Sequence, residues 1–473
     1  MYINGEWTQC PQSFPVFNPA NGEEIGRAQD GQRNDARRAI DAAAAAQAGW
    51  AALTAYERSG LLYRAHQLMM ERRPALAELM TREQGKPLKA ALNEVKYAAD
   101  FLLWFAEEAK RIYGETIPSA RSDQRFLVHK SPVGVVAAVT PWNYPISMLT
   151  RKLAPALAAG CTVVLKPAEA TPLCAVAVFE ILDEVGFPPG VVNLVTAADP
   201  APIGDEFCRN PLVRKLTFTG STAVGKKLAQ AAAIQLKRVS MELGGHAPFI
   251  VFDDANPVHA AKGVSLVKFL NTGQACISPN RIFVQRSMLA PFLETLQERI
   301  DKMRAGDGMD PATAIGPLVS QTAVDKVDRQ VKDAVTQGAT LHTGGGRLLE
   351  NGLDKGHFYA PTLLSNITPD MLIYREETFG PVAPVIAFDD DDDVIAMAND
   401  TNYGLAAYVY TQNLSRAMRA FEALQFGIIG INDINPTSAA APFGGMKESG
   451  LGREGAREGL EEYLETKLGG FSI

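Results

Sequence analysis

The central part of the chain alternates short apolar runs with amphipathic stretches. Between residues 133 and 242 the apolar runs are typical of buried strands, and stretches with helical spacing separate them. A second series of the same kind starts at 248–252, continues through a helix at 257–270 and reaches about residue 440. Strands that are apolar on both faces and are joined by helices predict parallel sheets covered by helices. We therefore predict an α/β fold with two doubly wound α/β domains. In the first series the predicted strands are 133–140, 162–165, 191–195, 216–219 and 238–242, and the predicted helices are 145–159, 171–185, 201–209 and 221–233.

The regions before and after these series have a different pattern. Helical spacing covers 35–52, 56–80 and 88–111, with Asp35 as the expected cap of the first helix. Residues 114–130 are β-prone and predict a hairpin-like excursion, while the tail 461–471 is again strand-like. The tail can pair with this excursion or with another subunit. The predicted division is one domain over 1–112 and 132–244, a second over 245–445, and a small β arm for oligomerisation from 113–131 and 457–473.

Composition narrows the classes of function. A chain of 473 residues is too long for one compact core, and 47% hydrophobic with 21% charged residues is ordinary for a soluble globular protein. The net charge of −7, without a basic block, argues against nucleic-acid binding. Five widely spaced cysteines without a CxxC pair argue against a disulfide framework and a zinc site, so no metal is expected. No apolar run approaches the ~20 residues that span a bilayer, so we expect no membrane association. Together with the unpaired cysteines, this favours a protein of the reducing cytoplasm.

Two conspicuous runs predict local structure only. The five aspartates of 389–393 precede an apolar stretch, which is typical of an acidic helix N-terminus. The three glycines of 344–346 predict a flexible loop.

Cys276 and Glu242 are the strongest candidates for chemistry. A thiol is a strong nucleophile only as the thiolate, so a reactive cysteine needs a nearby proton acceptor. Glu242 precedes Gly244 and Gly245, and glycines allow a sharp turn that brings a carboxylate close to other groups. Cys276 alone would more often be inert packing.

Several other polar groups follow predicted strands, where open α/β sheets bind ligands. Lys166 and Glu169 follow one strand and suit ribose hydroxyls, or else form a surface ion pair. The stretch 220–225 opens a helix and suits a phosphate, although it lacks the GxGxxG fingerprint. Asn143, in the rigid turn between two prolines, offers an amide that could stabilise an oxyanion or bond to its own turn.

Together these segments resemble the aldehyde dehydrogenase superfamily, and the resemblance runs along essentially the whole chain. It is closest to members of the succinate-semialdehyde dehydrogenase type, to which two segments are similar: the C-terminal stretch from Ala441-Pro442-Phe443-Gly444-Gly445 through Ser449-Gly450-Leu451-Gly452-Arg453-Glu454-Gly455, and Thr150-Arg151-Lys152. The matching strings, in order, are Pro141-Trp142-Asn143, Lys166-Pro167-Ala168-Glu169, the Gly220–Gly225 loop, Glu242-Leu243-Gly244-Gly245, Gly273-Gln274-Ala275-Cys276 and Glu377-Thr378-Phe379-Gly380-Pro381.

The resemblance implies a mechanism. Cys276 attacks the aldehyde carbon, and the Asn143 amide with the Cys276 backbone N–H holds the oxyanion. Hydride leaves for the nicotinamide and a thioester remains, which water activated by Glu242 hydrolyses to the acid. Relatives that transfer the acyl group to coenzyme A lack this glutamate, so a hydrolytic enzyme is implied. A catalytically silent binding homologue is the alternative from another class, and it would be expected to have lost Cys276 or Glu242.

The resemblance also implies a Rossmann-like cofactor domain that binds NAD. Lys166 and Glu169 would bind the adenosine ribose, and a carboxylate facing the 2′-hydroxyl repels a 2′-phosphate, so NAD is favoured with NADP as the alternative. Glu377 would bind the nicotinamide ribose, with Phe379 packing beside it. The resemblance assigns the rest of the cofactor path to Trp142, Gly220, Ser221 and Leu243. A homo-oligomer, dimer or tetramer, is expected.

The substrate is a small aldehyde, and the resemblance favours succinic semialdehyde or a related short acidic semialdehyde. Arg151 follows Asn143 by two helical turns, roughly 12 Å, and could hold the far carboxylate, or it could form an ion pair on the helix or between domains. Thr437 stands where that group has a substrate-binding serine. Leu270 replaces a second arginine, and Ser278 replaces a second cysteine that forms a redox disulfide in some members. Lactaldehyde, glycolaldehyde or sulfonated aldehydes are therefore alternative substrates.

Overall fold

A computed structural model describes residues 1–473. In chain order the strands are β1 (Tyr2–Ile3), β2 (Glu6–Trp7), β3 (Ser13–Phe17), β4 (Glu24–Gln29), β5 (Glu115–Ile117), β6 (Gln124–Pro132), β7 (Val135–Val139), β8 (Thr162–Lys166), β9 (Val192–Leu194), β10 (Val213–Thr219), β11 (Arg238–Glu242), β12 (Ala247–Val251), β13 (Pro279–Gln285), β14 (Thr340–Thr343), β15 (Thr362–Ser365), β16 (Val382–Phe388), β17 (Ala406–Tyr410), β18 (Ile428–Ile431), β19 (Gly450–Leu451) and β20 (Leu464–Ser472). The helices are α1 (Arg33–Ala52), α2 (Ala55–Glu71), α3 (Arg73–Gln84), α4 (Leu88–Glu108), α5 (Ser147–Ala159), α6 (Pro172–Val185), α7 (Ala201–Arg209), α8 (Thr222–Ala233), α9 (Pro257–Lys268), α10 (Leu289–Asp301), α11 (Gln321–Thr336), α12 (Leu372–Arg375), α13 (Asp391–Asn399), α14 (Leu414–Ala423) and α15 (Ala456–Glu461).

The first sheet contains the strands predicted between residues 133 and 242. Its order is β19-β11-β10-β7-β8-β9-β1-β2, and the pairs from β11 to β9 are parallel. Every residue of β8 is buried, because helices cover both faces of the sheet. This arrangement confirms the predicted α/β fold with doubly wound sheets.

The second sheet is built from the later part of the chain, in the order β14-β15-β16-β13-β12-β17-β18. All its pairs are parallel except β14 with β15 at one edge. The central strands β12 and β17 are buried throughout, as apolar runs with helical crossovers predict.

The chain crosses back to the first sheet near its C-terminal end. Strand β19 pairs antiparallel with the end of β11, where Gly450 lies opposite Glu242. The Ser449 hydroxyl donates to the Gly244 carbonyl at 2.7 Å, and the Leu243 N–H donates to the Ser449 carbonyl at 2.9 Å. The position of the end of β11, which carries Glu242, is therefore fixed in part by residues more than 200 positions later in the chain.

A separate three-stranded antiparallel sheet has the order β20-β6-β5. Strand β20 pairs along the whole of β6, from Leu464 opposite Pro132 to Ser472 opposite Gln124. The tail thus pairs with the 114–130 excursion, the first of the two partners that the sequence left open. Leu127 and Phe471 are exposed on one face of this sheet, and Leu468 is exposed on the other face.

Three details near the N-terminus differ from the sequence predictions. The first helix starts at Arg33, so Asp35 is not the cap: it lies in the first turn, and its carboxylate accepts the Gln32 N–H at 2.8 Å in a capping box. The helix predicted at 56–80 is two helices, because Pro74 favours a new helix start and cannot continue the preceding hydrogen-bond pattern. The hairpin β3–β4 was not predicted.

The two conspicuous runs have the predicted local structure. Asp390 caps α13 by accepting the N–H groups of Asp392 and Asp393, and the next acidic residues form its first turn. The glycines of 344–346 lie outside helices and strands. None of the helices combines the length and the apolarity that crossing a membrane requires.

Candidate active site

A tight left-handed turn delivers Cys276 to the site. After α9 the backbone of Asn271, Thr272 and Gly273 has φ of 49°, 59° and 77°. A Cβ at Gly273 would lie 2.1 Å from the Gly380 carbonyl oxygen, so the position requires glycine. The turn bends the chain sharply between α9 and Cys276.

The Cys276 thiol is neutral in the resting protein. Its pKa is raised to about 12, first by burial and then by the negative charge of Glu242. Its backbone N–H has no hydrogen-bond partner in the protein, so it can donate to a bound group. The thiol therefore needs a proton acceptor before it can act as a nucleophile.

Glu242 lies at the carboxyl end of β11 with 4% of its surface exposed. Its pKa is raised to about 8, first by burial and then by the charge of Glu454. Its Oε1 atom has no hydrogen-bond partner. A carboxyl group that titrates near neutrality, next to a thiol that feels its charge, is suited to general base catalysis.

Asn143 follows β7 in the turn between Pro141 and Pro145 and is buried. Its side-chain Nδ2 donates one hydrogen bond, to the Gln274 carbonyl at 3.0 Å. An amide nitrogen carries two hydrogens, so the second remains for another acceptor. The turn and the segment before Cys276 are thus in direct contact.

A buried charge cluster that the sequence did not indicate adjoins Glu242. The Glu454 carboxylate forms an ion pair with Arg151, whose Nε lies 2.8 Å away, and accepts a hydrogen bond from Lys152 Nζ at 2.5 Å. Lys152 Nζ also donates to the Thr219 hydroxyl at 2.7 Å. The sequence around Glu454 does not reveal these contacts, because the partners lie about 300 residues earlier on α5. Burial opposes ionisation of Glu454, yet Lys152 and then Arg151 keep its pKa below the ordinary value.

Arg151 therefore forms the ion pair that the sequence left open, and it also lines the cavity beside Cys276. Its guanidinium lies 4.0 Å from the centre of the Phe443 ring, and its Nη2 has no hydrogen-bond partner. The ion pair with Glu454 therefore leaves the Nη2 nitrogen of the guanidinium without a hydrogen-bond acceptor.

The cavity in front of Cys276 has a volume of about 580 Å³. Thr437 lies on its wall, and the Thr437 hydroxyl donates to the Asn435 side chain at 3.3 Å. The wall is mostly apolar, and its apolar members include Met148, Leu266, Val267, Leu270, Ile277, Ile434 and Phe443.

The polar groups that were predicted to bind a cofactor lie in the first sheet, at the carboxyl ends of its parallel strands. Lys166 is buried at the end of β8, and its Nζ lies 2.8 Å from the half-exposed Glu169 carboxylate. Gly220 follows β10, and Ser221 caps α8 by accepting the Val224 N–H at 3.4 Å. This helix start offers free N–H groups for a phosphate.

Leu243 and Glu377 lie between the start of α8 and the segment that carries Cys276. A Cβ at Gly225 would lie 2.3 Å from Leu243 Cδ2, so Leu243 packs closely against α8. Glu377 is buried against the turn after Glu242, and its Oε1 accepts the Gly245 N–H at 2.9 Å. The charge of Glu377 also raises the pKa of Cys276.

Trp142 and Phe379 pack edge to face with ring centres 5.7 Å apart. Phe379 has a left-handed φ of 55°, which is unusual for a bulky residue and is typical of a functional constraint. The buried ammonium at the end of β8, the capped start of α8 and the Glu377 carboxylate fit the ribose and phosphate groups of a dinucleotide. The arrangement contains no group of three or more His, Cys, Asp or Glu side chains suited to a metal ion, and the five cysteines are unpaired.

The chain belongs to the Aldehyde dehydrogenase family, whose pattern matches residues 7–468. It is 52% identical to a probable succinate-semialdehyde dehydrogenase [NADP(+)] of Sinorhizobium fredii over 96% of this chain and 92% of that protein. It is 49% identical to the glutarate-semialdehyde dehydrogenase of Pseudomonas putida, over 98% of this chain and 96% of that one. Among solved structures, an E. coli NADP-dependent enzyme is similar with a TM-score of 0.98 and 49% identity, covering 100% of this chain and 98% of the other.

Proposed function

We propose that this chain is a nicotinamide-dependent, non-acylating dehydrogenase that oxidises a short acidic semialdehyde to the carboxylate, with succinic semialdehyde as the first candidate. The observation that carries the proposal is the half-buried Cys276 thiol, which lines a cavity together with Arg151 and lies within the charge influence of the buried Glu242. The S. fredii and P. putida relatives, named for four- and five-carbon semialdehydes, support the same substrate class.

In the proposed reaction, the Cys276 thiol gives its proton to solvent water, Sγ bonds to the aldehyde carbon, and the π electrons of the carbonyl move to its oxygen, giving the oxyanion of a thiohemiacetal. The second N–H of Asn143 and the backbone N–H of Cys276, both without another acceptor, would hold the oxyanion. When bound, the nicotinamide ring supplies the acceptor for the hydride that leaves this carbon. Glu242 then removes a proton from water, which attacks the Cys276 thioester and releases the acid and the thiol.

Arg151 is proposed to hold the far carboxylate of the substrate. Its guanidinium keeps its charge, and its Nη2 has no partner within the protein. Thr437 on the same cavity wall offers a hydroxyl to the same group. Leu270 adds no charge, so shorter or neutral aldehydes such as lactaldehyde are the second candidates.

The test follows production of the reduced nicotinamide with succinic semialdehyde and compares three variants. Cys276→Ala is expected to show no turnover. Glu242→Gln is expected to give one rapid burst equal to the enzyme concentration and then to stall, because the thioester is not hydrolysed. Cys10→Ala, a half-buried thiol elsewhere, is the control and should behave as wild type. Equal bursts and equal steady rates in wild type and Glu242→Gln would reject the role of Glu242.

We infer that the cofactor is NAD, with NADP accepted as well. A Glu169 carboxylate facing the ribose disfavours a 2′-phosphate. Glu169 is half exposed, however, and when its side chain turns outward the buried Lys166 ammonium becomes free for a phosphate. Glu169→Gln should shift the ratio of kcat/KM for NADP over NAD upward by about tenfold, the effect of one lost charge contact. Glu180→Gln, an exposed glutamate on α6, is the control, and an unchanged ratio in Glu169→Gln would contradict the assignment.

We also propose that the chain forms a homo-oligomer through the sheet β20-β6-β5, the arm predicted at 113–131 and 457–473. The exposed Leu127, Leu468 and Phe471 on this sheet support the proposal, because apolar surface of this kind marks contacts between proteins. Phe471→Asp should lower the mass measured by light scattering, whereas Leu414→Asp, an equally apolar change on α14, should not.

A further inference from the structure

A buried lysine contacts the turn that carries Asn143. Lys86, just after α3, is 1% exposed, and its Nζ donates to the Asn143 backbone carbonyl at 2.8 Å. The same ammonium lies 4.1 Å from the centre of the Tyr144 ring. A buried ammonium requires such partners, so its position and that of the Asn143 turn are coupled.

Glu94, on α4, pairs with this lysine and is also buried. One oxygen of its carboxylate binds Lys86, and the other accepts the N–H groups of Ile146 at 3.1 Å and Ser147 at 3.2 Å. These N–H groups lie at the start of α5 and have no acceptor within the helix itself, and a negative charge is favourable at a helix start. A single carboxylate therefore joins the ammonium under Asn143 to the helix that carries Arg151.

The loop before Cys276 binds the same carbonyl. Asn271 Nδ2 donates to the Asn143 carbonyl at 2.9 Å and is 3.3 Å from the Gln274 carbonyl. The Asn143 side chain in turn donates to Gln274. Both the backbone and the amide of Asn143 are thus tied to the segment that ends at Cys276, and Lys86 contributes the only charged donor among these contacts.

We propose that Lys86 and Glu94 are positioning residues of the reaction, which fix the Asn143 amide relative to the Cys276 sulfur before substrate binds. This inference rests on the proposed role of Asn143 at the oxyanion. Donors to an oxyanion are effective because they are held in place before the reaction, and a displacement of about 1 Å can lower the rate roughly 100-fold. A merely structural ion pair would instead affect stability alone.

The experiment measures the rate of the first hydride-transfer burst with succinic semialdehyde and the cofactor. Lys86→Met, which keeps the chain length and removes the donor, should slow the burst roughly 10- to 100-fold and leave KM within about twofold, since the contact acts in the transition state. Asn143→Ala should slow the burst at least as much. In the double variant Lys86→Met, Asn143→Ala, the lysine change should cause no further loss, because Lys86 acts through Asn143.

Lys215→Met is the matched control. Lys215 is also buried and pairs with a glutamate, Glu462, at 3.2 Å, but on a part of the first sheet that does not contact Asn143 or Cys276. It should lower the melting temperature and leave the burst rate unchanged. If Lys86→Met does not fold, Glu94→Gln, which keeps shape and removes the charge, should slow the burst in the same way.

Two results would overturn the inference: a burst within about twofold of wild type in the folded Lys86 or Glu94 variant, or losses that multiply in the double variant with Asn143→Ala. The proposed function fails separately. If Asn143→Ala leaves the burst unchanged, the oxyanion role of Asn143 is wrong. If Asn143→Ala slows it and Lys86→Met does not, only the positioning role is wrong.

Discussion

Replacing Arg151 by leucine should separate acidic from neutral aldehydes. In the structure the guanidinium forms an ion pair with Glu454, with Nε 2.8 Å from the carboxylate, and Nη1 donates to the Met148 sulfur at 3.7 Å, which leaves Nη2 for a substrate carboxylate. Loss of a hydrogen bond to a charged group costs about 1.5–3 kcal/mol, or roughly 10- to 150-fold in kcat/KM. Because one nitrogen is already committed to Glu454, we expect the lower half of this range for succinic semialdehyde and almost no specific loss for propanal.

Arg151→Leu also changes the pKa of Glu242, so the comparison between substrates must be independent of that change. Arg151 lowers the pKa of Glu242, so Arg151→Leu should raise it further and reduce the ionised fraction at neutral pH. This loss applies to both aldehydes, so the informative quantity is the ratio of their kcat/KM values. Glu454 keeps its contact with Lys152, and we expect the variant to fold.

Arg151→Lys is the control, because it keeps a charge without the fork and should lose less than the leucine variant. The reasoning is refuted if succinic semialdehyde and propanal suffer by the same factor in Arg151→Leu. Arg151 would then support the site only through Glu454.

Two further predictions concern the base and the cavity wall. Glu242 has a pKa raised to about 8 and must be ionised to act as a base. The rate of thioester hydrolysis should therefore rise about tenfold per pH unit below pH 8 and level off above it, which single-turnover measurements across a range of pH would test. A rate that does not change with pH would contradict this role. Leu270→Arg adds a second arginine to the wall beside Cys276 and should raise kcat/KM for succinic semialdehyde by about tenfold or more while lowering it for propanal. No gain for the acidic substrate would mean that position 270 lies too far from its carboxylate.

The sequence predicted the parallel strands well because their signal is local. The run 163–165 is apolar and follows the β-prone Thr162, and the structure buries every residue of β8. The hairpin β3–β4 lacked such a signal, because it is partly exposed and its polar and apolar residues do not alternate strictly. Asp35 was misassigned because a capping box places its acid in the first turn, where the sequence alone does not fix the helix start.

For the candidate site, the resemblance supplied Cys276 and Glu242, whereas their supports were not predicted. Glu454 acts on Glu242 across more than 200 residues of sequence, and Lys86 reaches Asn143 from the end of another helix. Such contacts have no periodic pattern. Only the folded chain brings them together.

The crossing of β19 back to β11 sets the order in which this molecule matures. Synthesis proceeds from the N-terminus, so β19 and Glu454 are made after both Glu242 and Cys276. A nascent chain that already contains Cys276 still lacks these partners of Glu242. The growing polypeptide therefore cannot complete this site until residues 450–454 have been made.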